Sequence, residues 1–288
     1  MHTIDMNRLT SEQRAAVITC LIEGNSVRST VRMTGVAKKT VLRVLIEVGA
    51  VCSDYQDRVL RNLNTERVQI DEMWQFVYCK EKTVTPAIEE KNPGAGDAWL
   101  FAAIDADSKL VISWMVADRN KANARRFLGD VAGRLSKRVQ LTTDGHRMYF
   151  KPVVQAFGGM IDYAQLDKIY GPDSEGEKRY SPAACLGAKK NVMWGAPDWD
   201  HISTSYVERH NLSVRMTNRR FTRLTNAFSK KIDNHAAAVA LGYFAYNFIK
   251  IHRTLRTTPA MAAGVTDRLW EVADLVALWE ATEQRRAA

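Results

Sequence analysis

Four cysteines in 288 residues, at 20, 52, 79 and 185, are too few and too scattered for a disulfide scaffold. No two of them form a CxxC pair, so zinc binding is excluded and the thiols read as reduced and structural. No run of about 18 apolar residues is present, and Met1 to Thr10 lacks the basic-then-apolar pattern of a secretion signal. A cytoplasmic chain with no membrane partner is expected. There is no internal repeat and no low-complexity tract. Hydrophobic residues make up 46% and charged residues 25%, ordinary for a chain that buries a core, and the length suits one large domain with an appendage, or two domains.

What is present in excess is positive charge. Lys and Arg number 41 against 32 Asp and Glu, a formal net charge of +9 that suggests a polyanionic partner. Most of the excess lies in residues 201 to 258, where ten basic residues, among them Arg209, Arg215, Arg219 and Arg220, meet only Glu208 and Asp233. The first fifty residues add a smaller excess through Arg28, Arg32, Lys38, Lys39 and Arg43, whereas the last thirty are net acidic. Two separated basic segments suit two grips on one long anion, and solvated helix faces are the plain alternative.

Residues 1 to 53 read as three short helices. Thr10 and Gln13 form a capping box ahead of the apolar stripe Ala15, Val17, Ile18, Leu21 and Ile22, which stops at Gly24. Ser26 caps a second helix through Met33, and a turn at Thr34 and Gly35 leads to a third over Ala37 to Val48. This is a helix-turn-helix layout, whose last helix would aim Lys38, Lys39, Thr40 and Arg43 at a major groove. Residues 54 to 66 are polar and read as a linker. From Val68 the period becomes two, as in a strand, which sends Asp71 and Glu72 to opposite faces. Ala98 to Ile104 and Leu110 to Val116 flank a hairpin turn. A helix over Ala122 to Leu135, a strand over Val139 to Thr143 ending at Asp144-Gly145, another helix, and a fifth strand over Met160 to Tyr163 follow. By analogy with known folds this order predicts a ribonuclease H-like α/β domain over 67 to 262, with a mixed five-stranded sheet and flanking helices. A basic insert is read at about 170 to 200, with Pro172, Pro182, Pro197, Lys178-Arg179 and Lys189-Lys190. Residues 203 to 252 are helical in composition, with a break near Asp233. Residues 263 to 288 form an amphipathic helix through Leu269, Val272, Val276 and Trp279.

Three acids stand where solubility does not call for them. Asp71 lies within an apolar strand, Asp144 ends another, and Glu208 opens a helix crowded with arginine. Carboxylates are hard ligands, and two or three converging on Mg²⁺ build a site for phosphodiester chemistry. Each also has a local role open to it: an ion pair, an Asp-Gly turn, or a charge in a first helical turn. Seven and eleven residues past Glu208, Arg215 and Arg219 return to the same helix face, with Asn211 between. His146 and His210 beside the acids suit local hydrogen bonds better than general-base work.

IDEMWQF at 70 to 76, TDGHRMY at 143 to 149 and YVERHNLSVRMTNRRFTRLTNAFSKK at 206 to 231 resemble the bacterial insertion-sequence-one transposases, within the DDE transposase and retroviral integrase superfamily. NFIKIHRTLRTTPA at 247 to 260 resembles the segment that often closes such domains. The resemblance implies that Asp71, Asp144 and Glu208 are the catalytic, metal-binding triad, with two Mg²⁺ ions, or Mn²⁺ in their place. It makes Arg215 the basic residue that contacts DNA, with Asn211 as its neighbour. The chain departs from the family's best-known members in lacking their N-terminal zinc finger.

The implied function is that of an insertion-sequence transposase, hydrolysing the phosphodiester at element ends and transferring the freed 3′-OH into target DNA. Its expected partners are double-stranded DNA, both element ends and target, and further copies of itself in a homodimer or higher oligomer, at the nucleoid. Two other readings stay open: a helix-turn-helix regulator with an inert ribonuclease H-like domain, and a metal-dependent nuclease that cuts without joining.

Overall fold

The computed structural model describes residues 8–146, 148–171, 185–222 and 225–287. Expectations that involve Arg147, Pro172, Lys178, Arg179, Pro182 and Arg223 lie outside these residues. Backbone contacts divide the chain into two units, one of Met1–Leu60, Gln75–Ala98 and Asn211–Ala288, the other of Arg61–Trp74 and Trp99–His210.

The second unit is built on a mixed sheet of β1 (Arg67–Val77), β2 (Gly96–Asp105), β3 (Val111–Ala117), β4 (Val139–Asp144), β5 (Ile161–Tyr170) and β6 (Cys185–Trp194). The order across the sheet is β3-β2-β1-β4-β5-β6. β2 and β3 form an antiparallel hairpin, β1 pairs parallel with β4, β4 pairs parallel with β5, and β6 returns antiparallel to β5. Six strands replace the expected five, because part of the segment read as a basic insert pairs as β6. No residue of β6 is buried, so its sequence has no inward-facing apolar set to betray a strand. Two helices, α5 (Lys121–Ala132) and α6 (Phe150–Phe157), pack on each other, and α5 also lies on β3. α5 starts at Asn120, whose side chain accepts the Asn123 N–H at 2.9 Å. Its buried residues Ala124, Phe127, Leu128 and Val131 recur at helical spacing, and Phe127 meets Phe101 of β2 at 5.6 Å between ring centroids.

The first unit is helical. α1 (Ser11–Ile22) starts with the expected capping box, Thr10 and Gln13 exchanging bonds of 3.1 and 3.2 Å. α2 (Val27–Thr34) starts at Ser26 and stops at Gly35, whose φ of +70° is left-handed. Gly35, Val36 and Ala37 then turn the chain into α3, which is one unbroken helix over Lys38–Val59 and so takes in the first residues of the segment read as a linker. The buried series Val41, Val44, Leu45, Val48, Val51 and Cys52 continues past Val48, and the helix continues with it.

That face packs on α8 (Ile232–Phe244), an alanine-rich helix prolonged by a π-helical turn over Ala245–Ile249. A Cβ on Gly49 would lie 2.7 Å from both Cα and Cβ of Ala237, so the two helices touch at a spot where only hydrogen fits. Further along, Tyr55 meets Phe244, Phe248 and Trp270 at centroid distances of 5.7, 5.5 and 5.0 Å. A short α9 (Pro259–Ala262) leads on to α10 (Val272–Ala287), which packs on α1 and α3 through buried Leu275, Val276 and Trp279. Leu269, expected in this stripe, is 43% exposed. Arg14 joins α1 to α10, its guanidinium 4.1 Å above the Trp279 ring and 2.9 Å from Glu283. Among the described residues no helix is long and apolar enough to cross a membrane.

Candidate active site

The register of β1 on β4 brings two of the expected acids together. Their parallel pairing runs from Arg67↔Gln140 to Ile70↔Thr143, and the next residue on each strand is Asp71 and Asp144. Distant in sequence, they stand side by side on neighbouring strands, Asp144 at the carboxyl end of β4, where α/β sheets hold their ligands, and Asp71 partway along β1. The Asp167 carboxylate occupies the space beside Gly145 after Asp144, so a side chain there would displace it. The His146 N–H donates to Asp144 Oδ1 at 3.1 Å and fixes the carboxylate on this turn.

Glu72 joins them, contrary to the strict alternation read from the sequence. One carboxylate oxygen from each of Asp71, Glu72 and Asp144 lies within 4.8 Å of the others, and among the described residues this is the one group of three such ligands. Pairing with β4 stops at Ile70, although β1 runs on as a strand to Val77. The Asp71 Oδ1 accepts the Glu72 N–H at 2.8 Å. The Glu72 side chain is 1% exposed, and its two oxygens accept from the Tyr149 hydroxyl and, at 3.0 Å, from Arg119.

Glu208 stands in the first turn of α7 (Ser205–Thr217). Gln69, two residues before Asp71, anchors that turn to β1: its Oε1 accepts the N–H groups of Tyr206 and Val207 at 2.9 and 3.1 Å. Thr204 donates to Glu208 at 2.7 Å, and Lys168 of β5 forms an ion pair with it. Glu208 is near enough for its charge to act on Asp71.

Burial, and then the Asp144 charge, push Asp71 up to about 7. The same two causes push Glu72 up to about 8, against the pull of Arg119. Carboxylates crowded out of water in this way are relieved by a hard divalent cation, and the all-oxygen group that converges is Asp71, Glu72 and Asp144, which Glu208 does not join. His146 is held below its usual range, by burial first and then by Arg119. Its Nδ1 accepts the Met148 N–H at 3.3 Å, a bond only the neutral ring can take.

The basic residues fall in other places. Asn211 is buried and Arg215 half-buried on α7. Arg219 does not share that helix face as expected. α7 stops at Thr217, Asn218 caps a 3₁₀ turn over Arg219–Phe221, and the eleven-residue helical spacing from Glu208 is broken. In the first unit Lys38, Lys39 and Arg43 are exposed and Thr40 half-buried, at the start of α3. Ala37 gives this helix no side-chain cap, so both lysines add their charge to an already positive helix end.

No family model and no curated protein matches the chain. Solved structures similar to it include transposases. One is a Mos1 transposase paired-end complex with left transposon end, at 14% identity over 57% of this chain and 60% of that one, TM-score 0.25. A piggyBac transposase synaptic complex with hairpin DNA is 8% identical over 100% of this chain and 75% of that one, TM-score 0.40. The Mos1 strand transfer complex is 12% identical over 84% of this chain and 78% of that one, TM-score 0.24. The chain thus spans less than two thirds of the Mos1 chain in the paired-end complex.

Glu72, Arg119, Tyr149, Lys168 and Gln69 were not legible as site residues in the sequence. Only the doublet Asp71-Glu72 could have suggested the first, since an acid next to a site acid in an apolar strand also lacks a solubility role.

Proposed function

We propose that this protein is a metal-dependent DNA transposase of an insertion sequence, of the insertion-sequence-one type, with a ribonuclease H-like catalytic domain. The observation that carries the reading is the parallel register of β1 and β4, which sets Asp71 beside Asp144 at the end of β4 while Gln69 ties the Glu208 helix to β1. The antiparallel β2-β3 hairpin next to β1, continued on its other side by parallel β4 and β5, supports the fold assignment.

In this reading Asp71, Asp144 and Glu208 hold two Mg²⁺ ions, and Mn²⁺ substitutes. Bound there, the metal supplies Lewis-acid stabilisation of the attacking and leaving oxygens of an in-line displacement. Hydrolysis at the element end frees a 3′-OH, which then attacks target DNA, with no covalent protein intermediate. Arg215 on α7 and Arg219 in the turn after it contact the DNA, with buried Asn211 as the neighbour of Arg215, and Lys38, Lys39, Thr40 and Arg43 of the helix-turn-helix read its groove. Two ends must be joined, so the active form is a dimer or larger.

The test uses purified protein, labelled duplexes of the DNA flanking its own gene, and Mg²⁺, and scores 3′-end nicking and joining to a plasmid. Wild type is expected to nick and join, and Asp144→Asn to do neither while still binding the duplex. Cutting without joining would replace the reading with a nuclease. Equal binding by both proteins without chemistry would replace it with a regulator.

A further inference from the structure

Arg119 is absent from the triad and from both basic segments, yet it is fixed at the carboxylate cluster from three sides. It follows β3 and directly precedes Asn120, the residue that caps α5. Its neighbours are pinned as well, since Asn123 Nδ2 donates to the Asp118 carbonyl at 3.0 Å. The guanidinium plane lies 4.6 Å from the centre of the Trp99 ring. Its Nη2 donates to Glu72 at 3.0 Å and stands 3.8 Å from Asp144 Oδ2. The Glu72 carboxylate is 1% exposed, whereas the Arg119 side chain is 25% exposed and that of Asp144 42%. A buried acid and an aromatic ring therefore hold an arginine that is one-quarter exposed, with a buried Nε that has no hydrogen-bond partner, next to the acid that ends β4.

A cation there works against metal binding if its task is only to neutralise acids, because it weakens the field that draws a divalent ion. Where a phosphodiester is bound, the same cation is an asset. A guanidinium fork matches two phosphate oxygens, and one already oriented by Glu72 and Trp99 needs no reorganisation as charge builds on the phosphoryl group.

We propose that Arg119 is a substrate-contacting residue that donates to the non-bridging oxygens of the scissile phosphate, with Glu72 and Trp99 as the positioning residues that aim it. This rests on the phosphoryl-transfer reading above. It also gives Glu72 a task other than metal binding: one of its oxygens accepts from Tyr149 and the other from Arg119.

Two readouts on the full chain decide it: Mn²⁺ binding followed by electron paramagnetic resonance without DNA, and Mg²⁺-dependent nicking of the gene-flanking duplex as a function of its concentration. Arg119→Gln is expected to bind Mn²⁺ as tightly as wild type or more tightly, while nicking at saturating DNA falls about 100-fold. Arg119→Lys keeps the charge without the flat fork and is expected to recover part of that loss. Glu72→Gln should also nick poorly, yet keep Mn²⁺ affinity within about threefold, short of the tenfold or greater loss expected where a metal site's supporting shell is broken.

A structural role for Arg119 predicts instead that Mn²⁺ affinity, melting temperature and nicking all fall together in Arg119→Gln, and that result overturns the proposal. So does wild-type nicking by Arg119→Gln. A loss of Mn²⁺ binding of tenfold or more in Glu72→Gln makes Glu72 a ligand and overturns its positioning role. Asp144→Asn separates the two levels: if it binds Mn²⁺ like wild type, or if wild type binds Mn²⁺ and never nicks, the phosphoryl-transfer reading itself fails and the Arg119 assignment falls with it.

Discussion

Asp71 and Glu72 carry their protons to about 7 and about 8, because burial and a neighbouring carboxylate oppose ionisation. In the unfolded chain both titrate near the ordinary carboxylate range, about 4. Between these limits the folded state holds protons that the unfolded state has released, so stability contributed by these groups is full below about 4, declines as pH rises from there, and is lost once pH has passed about 7 to 8. Without divalent metal, the melting temperature of wild type is expected to fall from pH 5 to pH 8 more steeply than that of Asp71→Asn, which has no such proton to lose. Added Mn²⁺ should raise melting at pH 8 much more than at pH 5, since the ion binds the deprotonated site and expels its protons. Equal pH slopes for the two proteins would show that Asp71 is not held protonated by the fold. At this scale the sequence was partly legible. Asp71 and Asp144 stand out as acids in apolar strands, but Glu72 does not, because a period of two assigns it to the other face and no local pattern records that its carboxylate lies within 4.8 Å of the other two. Arg119 and Lys168 are equally silent, since nothing local distinguishes an arginine after a strand from any surface arginine.

The secondary elements with a buried face were readable, and the others were not. β1 to β5 each carry a buried set, as in Val139, Leu141 and Thr143 of β4, and their hydrophobic patterning predicted all five. β6 has no buried residue and its strand character comes wholly from bonds to β5, which no local pattern records. The length of α3 was legible in part, since Val51 and Cys52 continue its buried series, whereas the contacts of Tyr55 with distant aromatics leave no local trace. Gly49 is a sharper case. On propensity alone an interior helical glycine is improved by alanine, by about 1 kcal/mol. Here the new methyl would press on the Ala237 backbone at 2.7 Å, so Gly49→Ala is expected to destabilise the protein by roughly 1–3 kcal/mol instead. Urea unfolding measures the sign, and the pair Gly49→Ala with Ala237→Gly should lose less stability than the sum of the single losses, since the side-chain part of the clash is relieved. A stabilised Gly49→Ala would mean that α3 and α8 do not approach as closely as described.

For the molecule as a whole, the formal charge of +9 becomes meaningful through its placement. Exposed Lys38, Lys39 and Arg43 gather at the uncapped start of α3, where the helix dipole adds to them and where lysines weaken the helix they occupy. Two cations in the first turn of a helix are a cost to folding that a bound polyanion offsets. If that end of α3 meets the DNA backbone, each neutralised phosphate releases counterions, and the slope of log K against log salt is about 0.9 per contact. Replacing Lys38, Lys39 and Arg43 together with glutamine is therefore expected to weaken duplex binding and to flatten the salt slope by about 2 to 3. The melting temperature should hold or rise, because repulsion at the helix end is removed. The acids in the sheet belong to the other unit, so Mn²⁺ binding should be untouched. A variant that loses DNA affinity with an unchanged salt slope would point to lost base contacts rather than phosphate contacts, and α3 would then read sequence instead of only gripping the backbone. A variant that binds like wild type at every salt concentration would leave the basic stretch after Glu208 as the segment that holds DNA.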